Sequence, residues 1–136
     1  MPARLVLAAT SPIVALREEL FYRAILQRTL QRSLGPFFGL ITAAVLFTLY
    51  HIGAQPMNGL TVTMIFSAGI TLGMLYEYTR NIWVPVALHT AWDVIYALMP
   101  PVAWIDWTSS FYLNIAVVCA MFVWWAFTAE ERSARG

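Results

Sequence analysis

The sequence contains no lysine, a single cysteine and few charged residues of any kind. Charged side chains make up 11% of its 136 residues, whereas roughly a quarter is usual in a globular protein. Residues 33–76 include no Asp, Glu, Lys or Arg, and neither do residues 107–129. A helix that spans a bilayer needs about twenty mostly apolar residues, so both runs are long enough to cross one. The composition therefore predicts an integral membrane protein.

The same shortages exclude several functions. The eight arginines are scattered and the net charge is +1, so we expect no basic patch and no nucleic-acid partner. With Cys119 alone, the chain can form neither an internal disulfide nor a metal site of several cysteines. The motifs H-E-x-x-H and G-x-S-x-G are both absent, so a zincin-type metal site and a serine nucleophile are unsupported.

Turn-forming residues divide the apolar sequence into five predicted helices. A long helix over residues 5–32 ends before a Gly-Pro pair, and four apolar helices follow it. We place these four at residues 37–53, 59–76, 82–99 and 111–128. Gly69 and Gly73 are spaced to form a face of small residues, which favours close helix packing. The predicted fold is all-α, a single domain over residues 1–136 built as a polytopic transmembrane bundle of about five helices.

The positions of the arginines predict the orientation of this bundle. Seven of them fall on one side of the predicted helices, namely Arg17, Arg23, Arg28, Arg32, Arg80, Arg132 and Arg135. The loops expected on the other side, residues 54–58 and 100–110, contain none. Arginine is concentrated on the cytoplasmic side of membrane proteins, so we expect the C-terminus to be cytoplasmic. The expected location is the bacterial inner (plasma) membrane.

Three clusters of polar residues lie inside or beside the predicted helices, where ionisable groups are costly and are functional hypotheses by default. The first is “REELFYR”. Glu19 precedes Arg23 by four residues, the favourable order for an ion pair on one helix face. Glu18 points about 100° away around the helix, so its carboxylate is free for another role.

The other two clusters each contain a histidine. “FTLYH” puts Phe47 and His51 on one helix face, and “HTAWD” does the same for His89 and Asp93. A rise of about 1.5 Å per residue places Glu18 and both histidines at comparable depth in the bilayer. The three clusters together therefore predict one polar site within the membrane.

Two interpretations compete for this site. Helix–helix hydrogen bonding or a proton path would use the same residue types, but one ion pair would be enough for packing. The chemical interpretation rests on a carboxylate that can deprotonate water and on imidazoles that can hold the water and stabilise an oxyanion. This combination favours hydrolysis by activated water inside the membrane.

In order and separation, the clusters resemble the E-E-x-x-x-R, F-x-x-x-H and H-x-x-x-N/D motifs of the CPBP intramembrane proteases. That family includes the type II CAAX prenyl endopeptidases and the Abi-like bacterial proteins, and the resemblance covers about residues 16–98. It implies an endopeptidase that cuts a membrane-anchored or membrane-inserted substrate. The implied partners are that peptide or protein and the lipid bilayer.

The resemblance also implies a role for each residue. Glu18 corresponds to the glutamate that activates the attacking water, and His51 to a residue that helps hold it. His89 and Asp93 resemble the pair assigned to the oxyanion region. The supporting positions, an ion pair and a packing aromatic ring, are matched by Glu19, Arg23 and Phe47.

Two points stay open within the resemblance. A zinc ion could instead be bound by Glu18, His51 and His89, with one position left for water. We expect no metal or other cofactor, and zinc-dependent hydrolysis is the alternative. Asp93 stands where many members have asparagine, and an ionised aspartate cannot donate a hydrogen bond. Asp93 is therefore expected either to be protonated or to orient His89.

The chain is also short for the family, which usually has further helices before the first motif. A second copy of the chain in a homo-oligomer would supply the missing wall, unless this is a minimal or truncated member. The competing class is a non-catalytic immunity or scaffold protein of the membrane. Peptide cleavage that is lost on Glu18→Gln would separate the two classes.

Overall fold

The computed structural model describes residues 2–54 and 57–98, together with residues 112, 115, 116, 118–120 and 123. Among these residues the fold is all-α, as predicted, with five α-helices and no strand. The helices are α1 (Pro2–Glu19), α2 (Arg28–Leu34), α3 (Pro36–Tyr50), α4 (Gly59–Thr79) and α5 (Trp83–Leu98). A π-helical segment, Leu20–Gln27, joins α1 to α2. The predicted helix 111–128 lies mostly outside the described residues.

The first predicted helix is a continuous helical run from Pro2 to Leu34, with the π-helical segment in its middle. The hydrophobic pattern contains no signal for this segment. A π-helix is bonded from residue i to residue i+5, and such segments occur frequently at functional sites. Here the segment begins directly after Glu19 and contains the buried residues Arg23 and Gln27.

Specific residues end each helix and reverse the chain. Gly35, at φ 84°, separates α2 from α3, and Pro36 occupies the first turn of α3, where its missing N–H has no cost. The side chain of Asn58 caps α4 by accepting a hydrogen bond from the backbone N–H of Thr61 at 2.9 Å. Arg80 ends α4 in the left-handed conformation, at φ 54°.

Close packing of α3 on α4 depends on small residues. A Cβ atom on Gly69 would lie 3.2 Å from the Cβ of Ala44, and one on Gly73 would lie 2.5 Å from a methyl group of Leu40. The predicted small-residue face is thereby confirmed. The buried core around this contact consists of Leu40, Ala44, Ile70 and Met74.

Among the described helices, Gly59–Thr79 is long and apolar enough to cross a membrane, and Pro36–Tyr50 is apolar but shorter. Large apolar side chains also cover the outer surface of the fold. Those more than half exposed include Leu5, Val6, Ile13, Phe21, Ile25 and Phe38. Apolar surface of this extent indicates contact with lipid or with other protein.

Candidate active site

The ionisable residues of the three sequence clusters lie together in the fold. The end of α1, the π-helical segment, the end of α3 and the middle of α5 meet at this point. The residues brought together are Glu18, Glu19, Arg23, His51, His89 and Asp93. Phe47 packs among them, with its ring centroid 4.6 Å from that of His51 and 4.9 Å from the guanidinium carbon of Arg23.

Glu18 lies at the centre of this cluster, with a side chain only 8% exposed. Its Oε2 atom is 4.0 Å from Nε2 of His51 and 4.0 Å from Nε2 of His89. These distances exceed a direct hydrogen bond. They leave room for a water molecule about 2.8 Å from each group, and water commonly bridges polar groups at such a separation. Each imidazole can thus be bridged to the carboxylate by water.

His51 is oriented by the end of its own helix. The last carbonyl groups of an α-helix lack backbone partners, and Nδ1 of His51 lies 2.8 Å from the carbonyl oxygen of Phe47. A carbonyl oxygen only accepts hydrogen bonds, so Nδ1 carries the hydrogen and donates it. In the neutral imidazole Nε2 is then an acceptor, and it is the nitrogen nearer Glu18.

His89 is oriented by Glu19 across 70 positions of sequence. Its Nδ1 lies 2.8 Å from Oε1 of Glu19, and this contact again assigns the hydrogen to Nδ1, because the carboxylate accepts. The other oxygen of Glu19, Oε2, accepts from Nε of Arg23 at 2.8 Å, and both side chains of that pair are fully buried. The predicted pairing of Glu19 with Arg23 is therefore present. Its link to His89 has no signal in the sequence.

Asp93 lies beside His89 on α5, as helical spacing suggests, but without a direct hydrogen bond. Its Oδ2 is 3.8 Å from Nε2 of His89, beyond hydrogen-bond distance, and its side chain is 37% exposed. Glu19 makes the direct contact with Nδ1 of His89, so any part that Asp93 has in orienting His89 is played through this longer ion pair. Asp93 also lines a cavity beside the site.

That cavity has a volume of about 400 Å³ and lies between α3, α4 and α5. His51, His89 and Asp93 line one part of it. Much of the remaining lining is apolar and includes Met64, Ala68, Leu72 and Trp92. A cavity with an apolar wall and a few convergent polar groups is the usual form of a binding site.

Two residues that sequence reasoning did not assign to the site also contact it. Nη2 of Arg17 lies 3.4 Å from Oε1 of Glu18 and donates to the hydroxyl oxygen of Tyr50 at 3.1 Å. The arginine pattern predicts Arg17 at the cytoplasmic side, whereas the structure places it against the site. The same pattern predicts Arg23 there, but Arg23 is buried in the site and faces no loop.

The zinc alternative can be compared with these distances. Ligand atoms around a tetrahedral zinc lie about 3.4 Å apart, given bonds of about 2.0–2.1 Å, whereas Glu18 is 4.0 Å from each imidazole. In residues 2–54, 57–98 and the described part of 112–123, no three His, Cys, Asp or Glu side chains are arranged to hold a metal ion.

Comparison with known proteins identifies the family. Residues 2–95 match the family described as “Type II CAAX prenyl endopeptidase Rce1-like”. The chain belongs to this family, which is membrane-embedded, and the resemblance drawn from the three motifs is confirmed.

One curated relative is “Uncharacterized protein YpbD” of Bacillus subtilis (strain 168). It is 29% identical over 85 residues, which cover 62% of this chain and 40% of the relative. The match therefore spans less than half of the relative's length. No solved structure matches the chain significantly.

Proposed function

We propose that the chain is an intramembrane endopeptidase that hydrolyses a peptide bond with water activated by Glu18. The observation that carries this proposal is the position of Oε2 of Glu18, 4.0 Å from the Nε2 atoms of both His51 and His89. Both Nδ1 atoms are held by fixed acceptors. A water molecule at this point would meet a base and two oriented imidazoles.

The number of hydrogen-bond donors and acceptors around the water requires the two histidines to differ in protonation. A water molecule donates two hydrogens, yet Oε2 of Glu18 and both Nε2 atoms would all accept if both imidazoles were neutral. One imidazole must therefore be protonated for the three to share a water. His89 is the better choice, because Glu19 and Asp93 both lie beside it and carboxylates stabilise the imidazolium form.

The reaction then follows from these protonation states. Glu18 removes one proton of the water while Nε2 of His51 accepts a hydrogen bond from the remaining O–H, and the water oxygen attacks the peptide carbonyl carbon. The N–H at Nε2 of His89 stabilises the negative oxygen that forms. Glu18 passes its proton to the peptide nitrogen, and the C–N bond breaks to give a carboxylic acid and an amine. Glu19 and Arg23 keep His89 in place throughout.

The proposal includes a polytopic membrane bundle. Its supports are the membrane-embedded family, the span Gly59–Thr79 and the apolar side chains exposed on α1, the π-helical segment and α3. The run from Pro2 to Leu34 is about 50 Å long at about 1.5 Å per residue, longer than a bilayer core of about 30 Å. We further propose the inner membrane of a bacterium, a cytoplasmic C-terminus and a homo-oligomer that completes the wall of the site.

A zinc-dependent form of the same hydrolysis is the second candidate. The contacts of both Nδ1 atoms favour it, because a zinc-bound histidine usually donates its other N–H to a carboxylate or a backbone carbonyl. Glu18, His51 and His89 would then hold the ion, which would supply an activated water. The 4.0 Å separations favour the metal-free form, and we propose that no metal or other cofactor takes part.

The proposed function is tested by co-expression with candidate membrane-anchored substrates. These are proteins with prenylated C-termini, leader peptides or C-terminal membrane helices, and mass spectrometry identifies the cut ends. We expect new ends with the wild-type chain and none with Glu18→Gln at equal protein level. Identical ends from both chains, or no ends with any substrate class, would favour the non-catalytic scaffold.

A further inference from the structure

Helix α3 stops partway along its neighbour. Its 15 residues make it about 22 Å long, less than the bilayer core of about 30 Å. The run from Pro2 to Leu34 lies beside it, and contact between Arg17 and Tyr50 places the end of α3 level with the middle of that run. Fifteen residues of α1 therefore continue beyond the point where α3 ends.

Polar side chains lie at the level where α3 ends beside α1. Arg17 has a side chain 65% exposed, and Tyr50 is 51% exposed, while the adjacent Glu18 is nearly covered. An arginine at membrane depth faces the bundle interior or a water-filled cavity, because contact with lipid is costly. Arg17 contacts the carboxylate of Glu18 in the site and the hydroxyl of Tyr50 beside it.

We propose that Arg17 and Tyr50 form an aqueous entrance through which water reaches Glu18. The entrance lies on the Oε1 side of Glu18, whereas the largely apolar cavity adjoins the two histidines. Water and the substrate thus approach the site by different routes. That this water is a reactant in hydrolysis rests on the proposed function, whereas the existence of the entrance does not.

Arg17 also acts as a positioning residue. Its contact with Oε1 leaves Oε2 of Glu18 directed toward the two Nε2 atoms. Tyr50 precedes His51 in the chain and accepts a hydrogen bond from the same Nη2 atom of Arg17. The pair thereby couples the position of the base on α1 to that of the imidazole at the end of α3.

The first test measures water access by thiol labelling of the whole chain in lipid vesicles. The exposed Cys119 is replaced by alanine, and Tyr50→Cys introduces the test thiol while Arg17 is kept. The matched controls are Leu46→Cys and Phe21→Cys, apolar positions one helical turn from Tyr50 and Arg17 that are 38% and 51% exposed. The probe is a charged, membrane-impermeant methanethiosulfonate supplied on both sides of the vesicle.

We expect Tyr50→Cys to react at least about tenfold faster than both controls, because the thiolate is the reactive form and apolar surroundings suppress it. Adding Arg17→Leu should slow Tyr50→Cys toward the rate of Leu46→Cys, and Arg17→Gln serves if the leucine variant melts early. A Tyr50→Cys rate no faster than the controls, or unaffected by the loss of Arg17, would overturn the entrance.

The second test measures cleavage of the substrate identified by mass spectrometry. Arg17→Gln should lower kcat by about 10- to 100-fold with KM unchanged, since a small misplacement of a catalytic group has effects of this size. Arg17→Lys should restore part of the rate. A raised KM at unchanged kcat would assign Arg17 to substrate binding and overturn the positioning role. Failure of either test with Glu18→Gln still inactive would leave the proposed function intact.

Discussion

Two adjacent glutamates have separate partners at the scale of single residues. Glu19 is fully buried and uses both oxygens, one for Arg23 and one for His89. The contacts of Glu18 are longer, 3.4 Å to Nη2 of Arg17 and 4.0 Å to Nε2 of each histidine. A carboxylate with its oxygens occupied maintains structure, whereas one held loosely beside two imidazoles is able to accept a proton.

We therefore predict opposite effects for Glu18→Gln and Glu19→Gln. Glu18→Gln should abolish cleavage while the melting temperature in detergent stays near that of the wild type. Glu19→Gln should lower stability, because a buried pair that loses one partner typically costs about 3–5 kcal/mol, with part of the activity lost in consequence. The measurements are cleavage rate per folded protein and melting temperature. Normal cleavage by Glu18→Gln, with inactive but stable Glu19→Gln, would exchange the two roles.

A second prediction at this scale concerns zinc. Protein purified in the presence of a chelator should keep its cleavage activity and contain no stoichiometric zinc by elemental analysis. The physical reason is that Glu18 can activate water without Lewis-acid assistance when its carboxylate is close to oriented imidazoles. Activity that is lost to chelator and restored by zinc would establish the alternative.

At the scale of elements, small residues decide how closely the helices approach. Gly39 packs against the backbone of Gln31, on the turn of α2 that faces the start of α3. This contact closes the hairpin that brings the end of α3 beside α1. The spacing of Gly35 and Gly39 spans the start of a helix, so it predicts little about helix packing. One of the closest backbone contacts among the described residues is nevertheless made by Gly39.

Gly39→Ala should be destabilising for this reason. The added Cβ would lie 2.5 Å from the backbone N and Cα atoms of Gln31, so the backbone itself must move, and such overpacking typically costs about 1–3 kcal/mol. Gly59→Ala is the matched control, since nothing lies within 4 Å of its added Cβ. Melting temperatures in detergent should fall for Gly39→Ala alone. Equal values for the two variants would show that the hairpin adapts.

At the scale of the whole molecule, the orientation in the membrane is a prediction that rests on the arginines. Arg23 has to be removed from that count, because it lies within the site. Arg17 has to be removed as well, because it contacts Tyr50 at the far end of α3. Arg32 lies in the last turn of α2 and Arg80 at the end of α4, as the prediction requires, while Arg132 and Arg135 lie outside the described residues. The asymmetry that predicts a cytoplasmic C-terminus therefore persists.

Labelling of single cysteines in intact cells tests this orientation. In the Cys119→Ala background, Ala54→Cys should react with an impermeant thiol reagent from outside, because loop 54–58 lacks arginine. Ser133→Cys should react only after the cells are permeabilised. Labelling of both positions from the same side would contradict the proposed topology.

The sequence by itself determined the all-α class, the approximate helix ends, the small-residue face of α4 and the identity of the polar clusters. Each of these depends on local properties. The sequence shows directly the runs without charged residues and the Gly and Pro residues where the chain reverses. It also shows which polar residues are spaced four apart. The ion pair between Glu19 and Arg23 could be predicted because both residues lie on one helix face.

The tertiary structure alone decided which side chains meet across helices. Three features depend on residues from distant parts of the chain. They are the contact of Glu19 with His89, the position of the end of α3 beside Arg17 and the cavity next to Asp93. Helical spacing correctly brought Asp93 near His89, but a spacing rule compares only residues within one helix and could not indicate Glu19 as a partner. The π-helical segment and the close approach of α3 to α4 set the positions of whole helices, and those positions place Glu18 close to both imidazoles.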